Sequence, residues 1–324
     1  MGTVVLGTGS CLPKRILTNE ELENIVETSA EWIRTRTGIE SRRISGRSEQ
    51  TYQLATKAAK LALEAAGVDA ADLGLVVVGT ISSHMLMPST ACFVQSEIGA
   101  VNAFAYDLNA ACSGFLYGLD LADRYIRTDP KMKVLVVGAE TLSGRLNWQD
   151  RNTCILFGDG AGAAVFGDGE AERGIIGSNF ASDGNLWRLL YMNGPESTNP
   201  DLSLDDDSGA VIRMEGREVF KYAVRAMEDS VRGLLGRHRL EIADIDLVIP
   251  HQANIRIINN LVDRLGVPLG KVFINVAKYG NTSAASIPIA LDEANRQGLI
   301  GKGDKVLFCT FGGGLTWGAS LITW

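Results

Sequence analysis

The sequence predicts an α/β protein built from two duplicated α/β halves, and three observations lead to this fold class. Short apolar runs typical of buried strands, such as 74–80 and 133–140, alternate with amphipathic helical stretches such as 51–67. Segments of the first half recur in the second half at a constant offset of 172 residues. The chain has 324 residues, enough for two units of ordinary domain size, and no linker composition separates them.

The repeat is visible in matched segments of strand and helix character. The run "ADLGLVVV" in the first half corresponds to "ADIDLVIP" in the second. The matched pairs are 71–78 with 243–250, 133–135 with 305–307, and 51–67 with 223–239. Because three matches without gaps are improbable in unrelated segments, we expect two halves, residues 1–170 and 171–324, that pack against each other.

Composition and charge exclude several classes of protein. The net charge of −7 argues against general binding of nucleic acid, which requires a basic surface. The start "MGTVVLGTGS" lacks the pattern of a signal peptide, and no apolar run approaches the ~20 residues of a membrane span. The five cysteines form no CxxC pair, so neither a zinc site nor a disulfide framework is indicated. We therefore expect a cytoplasmic protein with reduced thiols, no metal and no membrane or nucleic-acid partner.

A cysteine among small residues is the first candidate for chemistry. Cys112 lies in "YDLNAACSGF" (106–115), after a predicted strand and directly before a predicted helix. The start of a helix favours a thiolate, and the small neighbours leave room for a large substrate to approach the sulfur. Cysteine is also among the most frequently buried residue types, so a role in the core is the alternative interpretation.

A histidine and an asparagine are further candidates in the second half. His251 follows the strand "DLVIP", at a strand end of the kind where α/β proteins place function, and Asn281 opens a small-residue helix in "YGNTSAAS". Their ordinary interpretations are a turn histidine and a helix N-cap. The repeat matches Cys112 with Ala284 and Gly79 with His251, so each half carries only one of the two groups. A site that uses both would lie where the halves meet.

These residue types together indicate acyl transfer. A thiol, an imidazole and a carboxamide, with the glycine-rich turn "FGGGLTWG" (311–318) to bind an oxyanion, form a typical nucleophile set. A hydrolase would use the histidine as base and the asparagine to orient it. A decarboxylating condensing enzyme would instead use both to donate hydrogen bonds to a thioester oxygen as it becomes an enolate. The residues alone leave both open.

Three motifs carry a resemblance to a known family. "DLNAACSGF", "PHQANIRI" and "YGNTSAASIP" resemble the active-site motifs of the β-ketoacyl-acyl-carrier-protein synthase III family, which initiates bacterial type II fatty acid synthesis. The resemblance covers essentially the whole chain, including "EWIRTRTGIESRR" and "FGGGLTWG". It implies a thiolase fold with α-β-α-β-α layers and a homodimer. It also implies condensation of a short acyl-CoA with malonyl-acyl carrier protein, without any cofactor.

Two alternatives of the same fold are weighed against this function. The first is a condensing enzyme of secondary metabolism with a specialised starter or nucleophile, which nothing in the motifs excludes. The second is a non-catalytic partner subunit. Such a subunit would be expected to lack the nucleophile, whereas Cys112, His251 and Asn281 are all present.

The resemblance also implies roles for individual residues. Cys112 takes the acyl group, His251 and Asn281 hold the malonyl thioester carbonyl, and the backbone N–H groups of Cys112 and Gly313 bind the oxyanion. The acyl-CoA path comprises Trp32, Arg36, Arg151, Gly216, Phe220, Asn254 and Arg256, with Trp32 and Arg151 as a clamp on the adenine. The acyl pocket comprises Leu156, Phe157, Phe311 and Met87, the last reaching into the partner's pocket. The residues that bind the carrier protein are Lys221, Arg225, Arg256 and Arg264.

Two places depart from the commonest pattern of the family. Met87 stands where many members have phenylalanine or another residue that reaches into the partner's acyl pocket, which leaves the starter length open. Residues 193–214 are acidic and rich in proline, serine and aspartate, and predict an extended surface loop near the pocket mouth.

Overall fold

The computed structural model describes residues 2–170, 172–195, 197 and 209–324. Its strands are β1 Gly2–Cys11, β2 Arg15–Thr18, β3 Ser41–Ile44, β4 Leu73–Gly79, β5 Phe104–Leu108, β6 Lys133–Thr141, β7 Asp159–Gly169, β8 Gly174–Ser182, β9 Leu190–Met192, β10 Ile212–Met214, β11 Leu247–Pro250, β12 Lys305–Gly312 and β13 Thr316–Thr323. Its α-helices are α1 Asn19–Leu22, α2 Ala30–Thr37, α3 Thr51–Ala66, α4 Thr90–Ile98, α5 Gly114–Thr128, α6 Arg151–Cys154, α7 Gly216–His238, α8 Ile255–Leu265, α9 Val276–Tyr279 and α10 Ser286–Arg296.

The two largest sheets in the described ranges have matching topologies. The first has the order β1-β7-β6-β4-β5, and the second has the order β11-β12-β13-β8. In each, a parallel pair (β4 with β6, β11 with β12) is followed by two antiparallel neighbours. The orders coincide when β4, β6, β7 and β1 are matched with β11, β12, β13 and β8. The repeat in the sequence is therefore a repeat of topology.

The apolar side chains divide the molecule into five layers. Successive side chains of a strand point to opposite faces, so Leu75 and Val77 enter one core whereas Val76 and Val78 enter another. The first core lies between the two sheets and contains the apolar faces of α5 and α10. Helices α3 and α4 cover the outer face of the first sheet, and α7 and α8 cover that of the second. The predicted α-β-α-β-α arrangement is confirmed.

Uncommon backbone conformations recur at the offset of 172. Helix α3 ends at Gly67 with φ of 61°, and α7 ends at Arg239 with φ of 55°. The turns before α5 and α10 contain Ala111 and Ser283, with φ of 46° and 48°. Residues other than glycine rarely adopt positive φ, so the pair Ala111 and Ser283, together with Arg239 opposite Gly67, shows that the halves share local backbone structure.

Glycines allow the helix starts to approach the strands. A Cβ on Gly79, the last residue of β4, would lie 2.9 Å from the carbonyl carbon of Gly114, the first residue of α5. A Cβ on Gly138 of β6 would overlap the carbonyl oxygen of Ala284, in the turn before α10. The strands of the first half therefore touch the helix starts of both halves.

The loop expected over 193–214 is only partly correct. Its last residues, Ile212–Met214, form β10, which pairs antiparallel with β9, and Ile212 is buried. Residues 196 and 198–208 of the predicted loop lie outside the described residues. In the ranges that are described, no helix is long and apolar enough to cross a membrane.

Candidate active site

The backbone of Cys112 is packed between the two halves. Cys112 lies in the short turn Ala111–Ser113 that leads into α5, and only 7% of its surface is exposed. Its carbonyl oxygen accepts a hydrogen bond from Thr310 Oγ1 of β12 at 3.0 Å. A Cβ on Gly312 would lie 2.7 Å from the Cys112 nitrogen, so only glycine permits this approach. The end of β12 therefore covers the backbone of Cys112.

The environment of Cys112 favours the neutral thiol. Burial raises the pKa of the thiol to about 12, interaction with the Ser283 hydroxyl opposes this rise, and the nearby Glu140 carboxylate adds to it. The helix start was expected to favour a thiolate, whereas burial favours the neutral thiol and the Cys112 backbone N–H opposes that effect.

His251 is a neutral hydrogen-bonding group. It follows β11, its N–H donates to Cys309 O at 2.8 Å, and burial lowers the pKa of its imidazole to about 4. Ser286 Oγ lies 2.6 Å from Nδ1, and the Gln252 N–H points at the same oxygen at 3.5 Å. We assign the tautomer in which the serine accepts from the Gln252 N–H and donates its own hydrogen to Nδ1, so that the ring proton lies on Nε2. Nε2–H is then the donor that His251 presents to substrate.

Hydrogen bonds to the backbone also fix the orientation of the Asn281 side chain. Its backbone N–H donates to Leu156 O at 2.8 Å, and its side-chain Oδ1 accepts from the Ser283 N–H at 2.8 Å. Because the oxygen is engaged, the Nδ2 hydrogens are the part of the carboxamide available to a ligand. Asn281, like His251 in the assigned tautomer, can therefore donate a hydrogen bond without carrying a charge.

One cavity of about 700 Å³ brings the three groups together. Cys112 of the first half and His251 and Asn281 of the second half all line it. It extends along most of the predicted substrate path, which is represented by Trp32, Arg36, Leu156, Phe157, Gly216, Phe220, Asn254, Arg256 and Phe311. The predicted residues of both halves thus meet in a single cleft.

Other predicted residues lie outside the walls of this cavity. The Arg151 guanidinium stacks on the Trp32 ring at 4.6 Å, with the Arg36 guanidinium 5.9 Å from the same ring. Gly313 lies beside Leu190 and Ala111. Met87 is 83% exposed.

The predicted carrier-protein docking residues lie on or near α7 and α8, and most are paired with acidic neighbours. The pairs are Lys221 with Glu218 at 2.6 Å, Arg225 with Asp229 at 3.8 Å, and Arg264 with Glu228 at 2.9 Å. Arg256 lines the cavity instead. In the part of the chain that the structure describes, no three His, Cys, Asp or Glu side chains are grouped to hold a metal ion.

Comparison with known proteins identifies the family. The model described as "3-Oxoacyl-[acyl-carrier-protein (ACP)] synthase III" matches residues 106–184, and the corresponding C-terminal model matches 235–324. The chain is 61% identical over 324 residues to the beta-ketoacyl-[acyl-carrier-protein] synthase III of Desulfotalea psychrophila, covering 100% of both. It is 48% identical over 322 residues to that of Aquifex aeolicus, covering 99% of both. The chain belongs to the 3-oxoacyl-[acyl-carrier-protein] synthase III family.

Solved structures of synthase III enzymes have the same architecture. The crystal structure of the Aquifex aeolicus synthase III has a TM-score of 0.93 at 48% identity and covers 100% of both chains. The priming beta-ketosynthase of the R1128 polyketide pathway has a TM-score of 0.92 at 38% identity, covering 99% of this chain and 96% of that one. The expected thiolase fold is therefore confirmed.

Sequence patterns did not indicate every polar residue of this synthase III site. Ser286 orients His251, but in the sequence it is one small residue among several in "TSAAS". Glu140 is fully buried near Cys112, and its only signal is a carboxyl group at the end of the apolar run "KVLVVGAE". Both depend on contacts between distant segments, which no local pattern reveals.

Proposed function

We propose that this chain catalyses the decarboxylative condensation of a short acyl-CoA with malonyl-acyl carrier protein. The product is a 3-oxoacyl-acyl carrier protein, and the reaction initiates fatty acid synthesis. The observation that carries the proposal is the convergence of one thiol and two neutral donors, Cys112, His251 and Asn281, in one cavity. Membership of the synthase III family supports the same reaction.

The acyl-CoA binds along the path between Trp32 and Cys112. Guanidinium groups suit phosphates and an indole face suits an adenine, so Arg36, Arg256 and Trp32 fit the nucleotide end of the substrate. Arg151 already stacks on Trp32, so we expect the adenine to separate these two groups and bind between them. The thioester then reaches Cys112, which takes the acyl group and releases CoA.

Condensation uses the two donors of the second half. The Nε2–H of His251 and the Nδ2–H of Asn281 donate to the malonyl thioester oxygen as carbon dioxide leaves and negative charge develops there. The resulting carbanion attacks the acyl group on Cys112, whose oxyanion is held by the backbone N–H groups of Cys112 and Gly313. Loss of carbon dioxide drives the new carbon–carbon bond, so the proposed reaction needs no cofactor.

The walls behind Cys112 support a short starter. Leu156, Phe157 and Phe311 line the cavity with large side chains. The secondary-metabolism alternative is not favoured, because identity is higher to the synthase III relative than to the polyketide priming synthase.

A cytoplasmic homodimer is part of the proposal. Leu86 and Met87 are 81% and 83% exposed, and β5, with Phe104 half exposed, forms an edge of the first sheet. An open strand edge beside exposed apolar side chains is suited to pairing with a second copy, and Met87 would then close the partner's acyl pocket. A monomeric mass by light scattering over micromolar concentrations would contradict this assembly.

Docking of the acidic carrier protein is proposed at Lys221, Arg225, Arg256 and Arg264. Arg256 lies at the cavity, whereas the other three must exchange their acidic neighbours for the carrier protein. Arg256→Ala is therefore expected to raise the KM for malonyl-acyl carrier protein more than Arg225→Ala does. Equal effects of the two substitutions would contradict this ranking.

Intact-protein mass spectrometry tests the function. Wild type and Cys112→Ala are incubated with acetyl-, butyryl-, isobutyryl-, hexanoyl- and octanoyl-CoA, and the acylated enzyme is then mixed with malonyl-acyl carrier protein. One adduct of acyl mass on wild type alone, followed by its loss into a 3-oxoacyl product, is the expected result. No adduct with any starter, or an adduct that malonyl-acyl carrier protein leaves in place, contradicts the proposed function.

A further inference from the structure

A buried carboxyl group close to Cys112 has no part in the chemistry described so far. Glu140, near the end of β6, is fully buried. Its Oε2 accepts hydrogen bonds from Ser82 Oγ at 2.5 Å, Ile81 N at 3.2 Å and Thr80 Oγ1 at 3.3 Å. Its Oε1 makes no hydrogen bond with any described residue. A buried carboxylate oxygen without a partner is costly, so this atom requires an explanation.

The hydroxyl of Ser283 interacts with both this carboxyl group and the thiol. Ser283 Oγ is also buried and makes no hydrogen bond of ordinary geometry within the described ranges. It is nevertheless close enough to both groups to affect them. Burial raises the pKa of Cys112 to about 12 and that of Glu140 to about 7, and interaction with Ser283 opposes each rise. The Ser283 hydroxyl is thus the group that can connect the thiol to Oε1, the carboxylate oxygen without a partner.

The backbone holds Ser283 in this place. Its φ of 48° is uncommon for serine, and its N–H is held by the Asn281 side chain at 2.8 Å. Gly138 lets β6 pack directly on the next residue of the turn, Ala284. The end of β6, which carries Glu140, is therefore pressed against the turn that carries the hydroxyl.

The thiol proton needs a destination that His251 does not supply. The Nδ1 of His251 is engaged by Ser286, and its Nε2 carries the proton that is donated to substrate. Among the described residues, the groups within reach of the carboxyl are hydroxyls and an amide, and Cys112 is the titratable group that it affects. A thiolate beside an ionised Glu140 would place two anions in a buried site, whereas transfer of the proton to Glu140 leaves one.

We propose that Glu140 holds the proton of Cys112 while the acyl group is bound, and exchanges it through the Ser283 hydroxyl. The inference rests on the proposed condensing function. During acylation, the thiol proton passes to Ser283 Oγ as the serine proton passes to Glu140 Oε1. The sulfur bonds to the acyl carbon, and the CoA thiolate leaves and takes a proton from solvent. During condensation, the carbanion expels the Cys112 thiolate, which recovers the proton from Glu140 along the same path.

The pH dependence of acylation tests this role. Acylation by acetyl-CoA is measured by rapid quench and intact mass from pH 5.5 to 9 for wild type, Glu140→Gln, Ser283→Ala and Ser82→Ala. In wild type the rate should rise as Glu140 ionises, near its pKa of about 7, and then level off. Glu140→Gln and Ser283→Ala should be slower by roughly 10²-fold or more at pH 8 and lack that step. Decarboxylation of malonyl-acyl carrier protein without acyl-CoA should be unchanged.

Ser82→Ala is the matched control, because it removes a hydrogen bond to the other oxygen of the same carboxylate. Since the Ser82 hydroxyl lowers the pKa of Glu140, its loss should move the step to higher pH and keep the plateau. Ser283→Ala retains the carboxylate and gives an independent test if Glu140→Gln does not fold.

Four results would overturn the proton-holding role. One is acylation by Glu140→Gln at the wild-type rate, and another is faster acylation, as expected if the negative charge only opposes the thiolate. The third is a slower reaction that keeps the step near neutral pH, and the fourth is equal loss of acylation and decarboxylation. If wild type takes up no acyl group, the proposed function fails together with this inference, whereas the other results leave that function intact.

Discussion

Replacement of Ser286 by alanine should impair decarboxylation while it spares acylation. The serine hydroxyl lies 2.6 Å from Nδ1 of His251, and both residues are buried. Without the serine hydroxyl, Nδ1 loses its hydrogen-bond partner at Ser286, and the ring proton is free to lie on either nitrogen of the imidazole. The share of His251 that presents Nε2–H to the malonyl thioester therefore falls.

The expected size of the effect follows from the lost hydrogen bond. A buried polar group left without its partner costs about 1–3 kcal/mol. If the whole cost falls on the transition state, the rate of decarboxylation drops by roughly 5- to 150-fold, since about 1.4 kcal/mol corresponds to a factor of ten. Acylation of Cys112 involves no donor from His251, so its rate should stay close to that of wild type.

Two half-reactions measured separately provide the assay. Release of carbon dioxide from malonyl-acyl carrier protein reports on His251, and rapid-quench mass spectrometry with acetyl-CoA reports on Cys112. Ser320→Ala is the matched control, because Ser320 is also buried and its hydroxyl pairs with Ser178 Oγ at 3.0 Å, within the second sheet. Decarboxylation by Ser286→Ala at the wild-type rate would refute the reasoning. Equal loss of both half-reactions would show that the serine only maintains the fold.

Three further predictions concern the nucleophile, the nucleotide end and the histidine. Gly312→Ala places a Cβ 2.7 Å from the Cys112 nitrogen and should lower the rate of acylation by about 10²-fold. Gly144→Ala is the control, because no heavy atom lies within 4 Å of a Cβ at that position, and its rate should stay unchanged. Equal rates for the two variants would contradict the contact between Gly312 and Cys112. Trp32→Ala should raise the KM for acyl-CoA but leave the reaction of pre-acylated enzyme unchanged, and a loss in that second step would contradict its place on the acyl-CoA path. The pKa of His251 is about 6.5 in the unfolded chain and about 4 in the folded protein. Between these pH values the unfolded chain binds a proton that the folded protein does not, so the free energy of unfolding decreases as the pH falls from 6.5 to 4. Thermal unfolding of His251→Gln should show a shallower loss between these pH values, and an unchanged slope would contradict the burial of a neutral imidazole.

Local sequence patterns were sufficient to predict most of the elements and to select Cys112, His251 and Asn281, which line one cavity. The helix expected over 51–67 is observed as α3 with Gly67 as its cap, because amphipathic spacing and a C-terminal glycine act within the segment. The position of His251 directly after β11 was predicted because Pro250 ends that strand. These signals need no knowledge of what packs against them.

What sequence patterns did not predict depends on contacts between the halves. A helix start alone favours a thiolate at Cys112, but burial, to which the end of β12 contributes, raises the pKa of the thiol. The partners Ser286 and Glu140 likewise act across 35 and 28 positions of sequence from His251 and Cys112. The residue types were visible, but the distances that give them a role were not.

The repeat explains how two halves came to share one cavity. Glu140 and Gly312 are matched at the offset of 172, and so are the turns that they approach, at Ser283 and at Ala111. Each strand end therefore reaches the turn before the helix of the other half. Gly312 carries no side chain and lies against the Cys112 nitrogen, whereas Glu140 carries a carboxyl group that interacts with Ser283. A symmetric backbone contact thus has different chemistry on its two sides.

The same correspondence accounts for the orientation of His251. The offset matches Gly79 with His251 and Gly114 with Ser286. In the first half these positions are two glycines in close backbone contact, at 2.9 Å from a Cβ on Gly79 to the Gly114 carbonyl carbon. In the second half they are an imidazole and a hydroxyl joined by a hydrogen bond of 2.6 Å. Because the fold already brings these two backbone positions together, side chains placed there meet with little further rearrangement. The hydrogen bond that orients His251 is therefore a consequence of the duplicated scaffold.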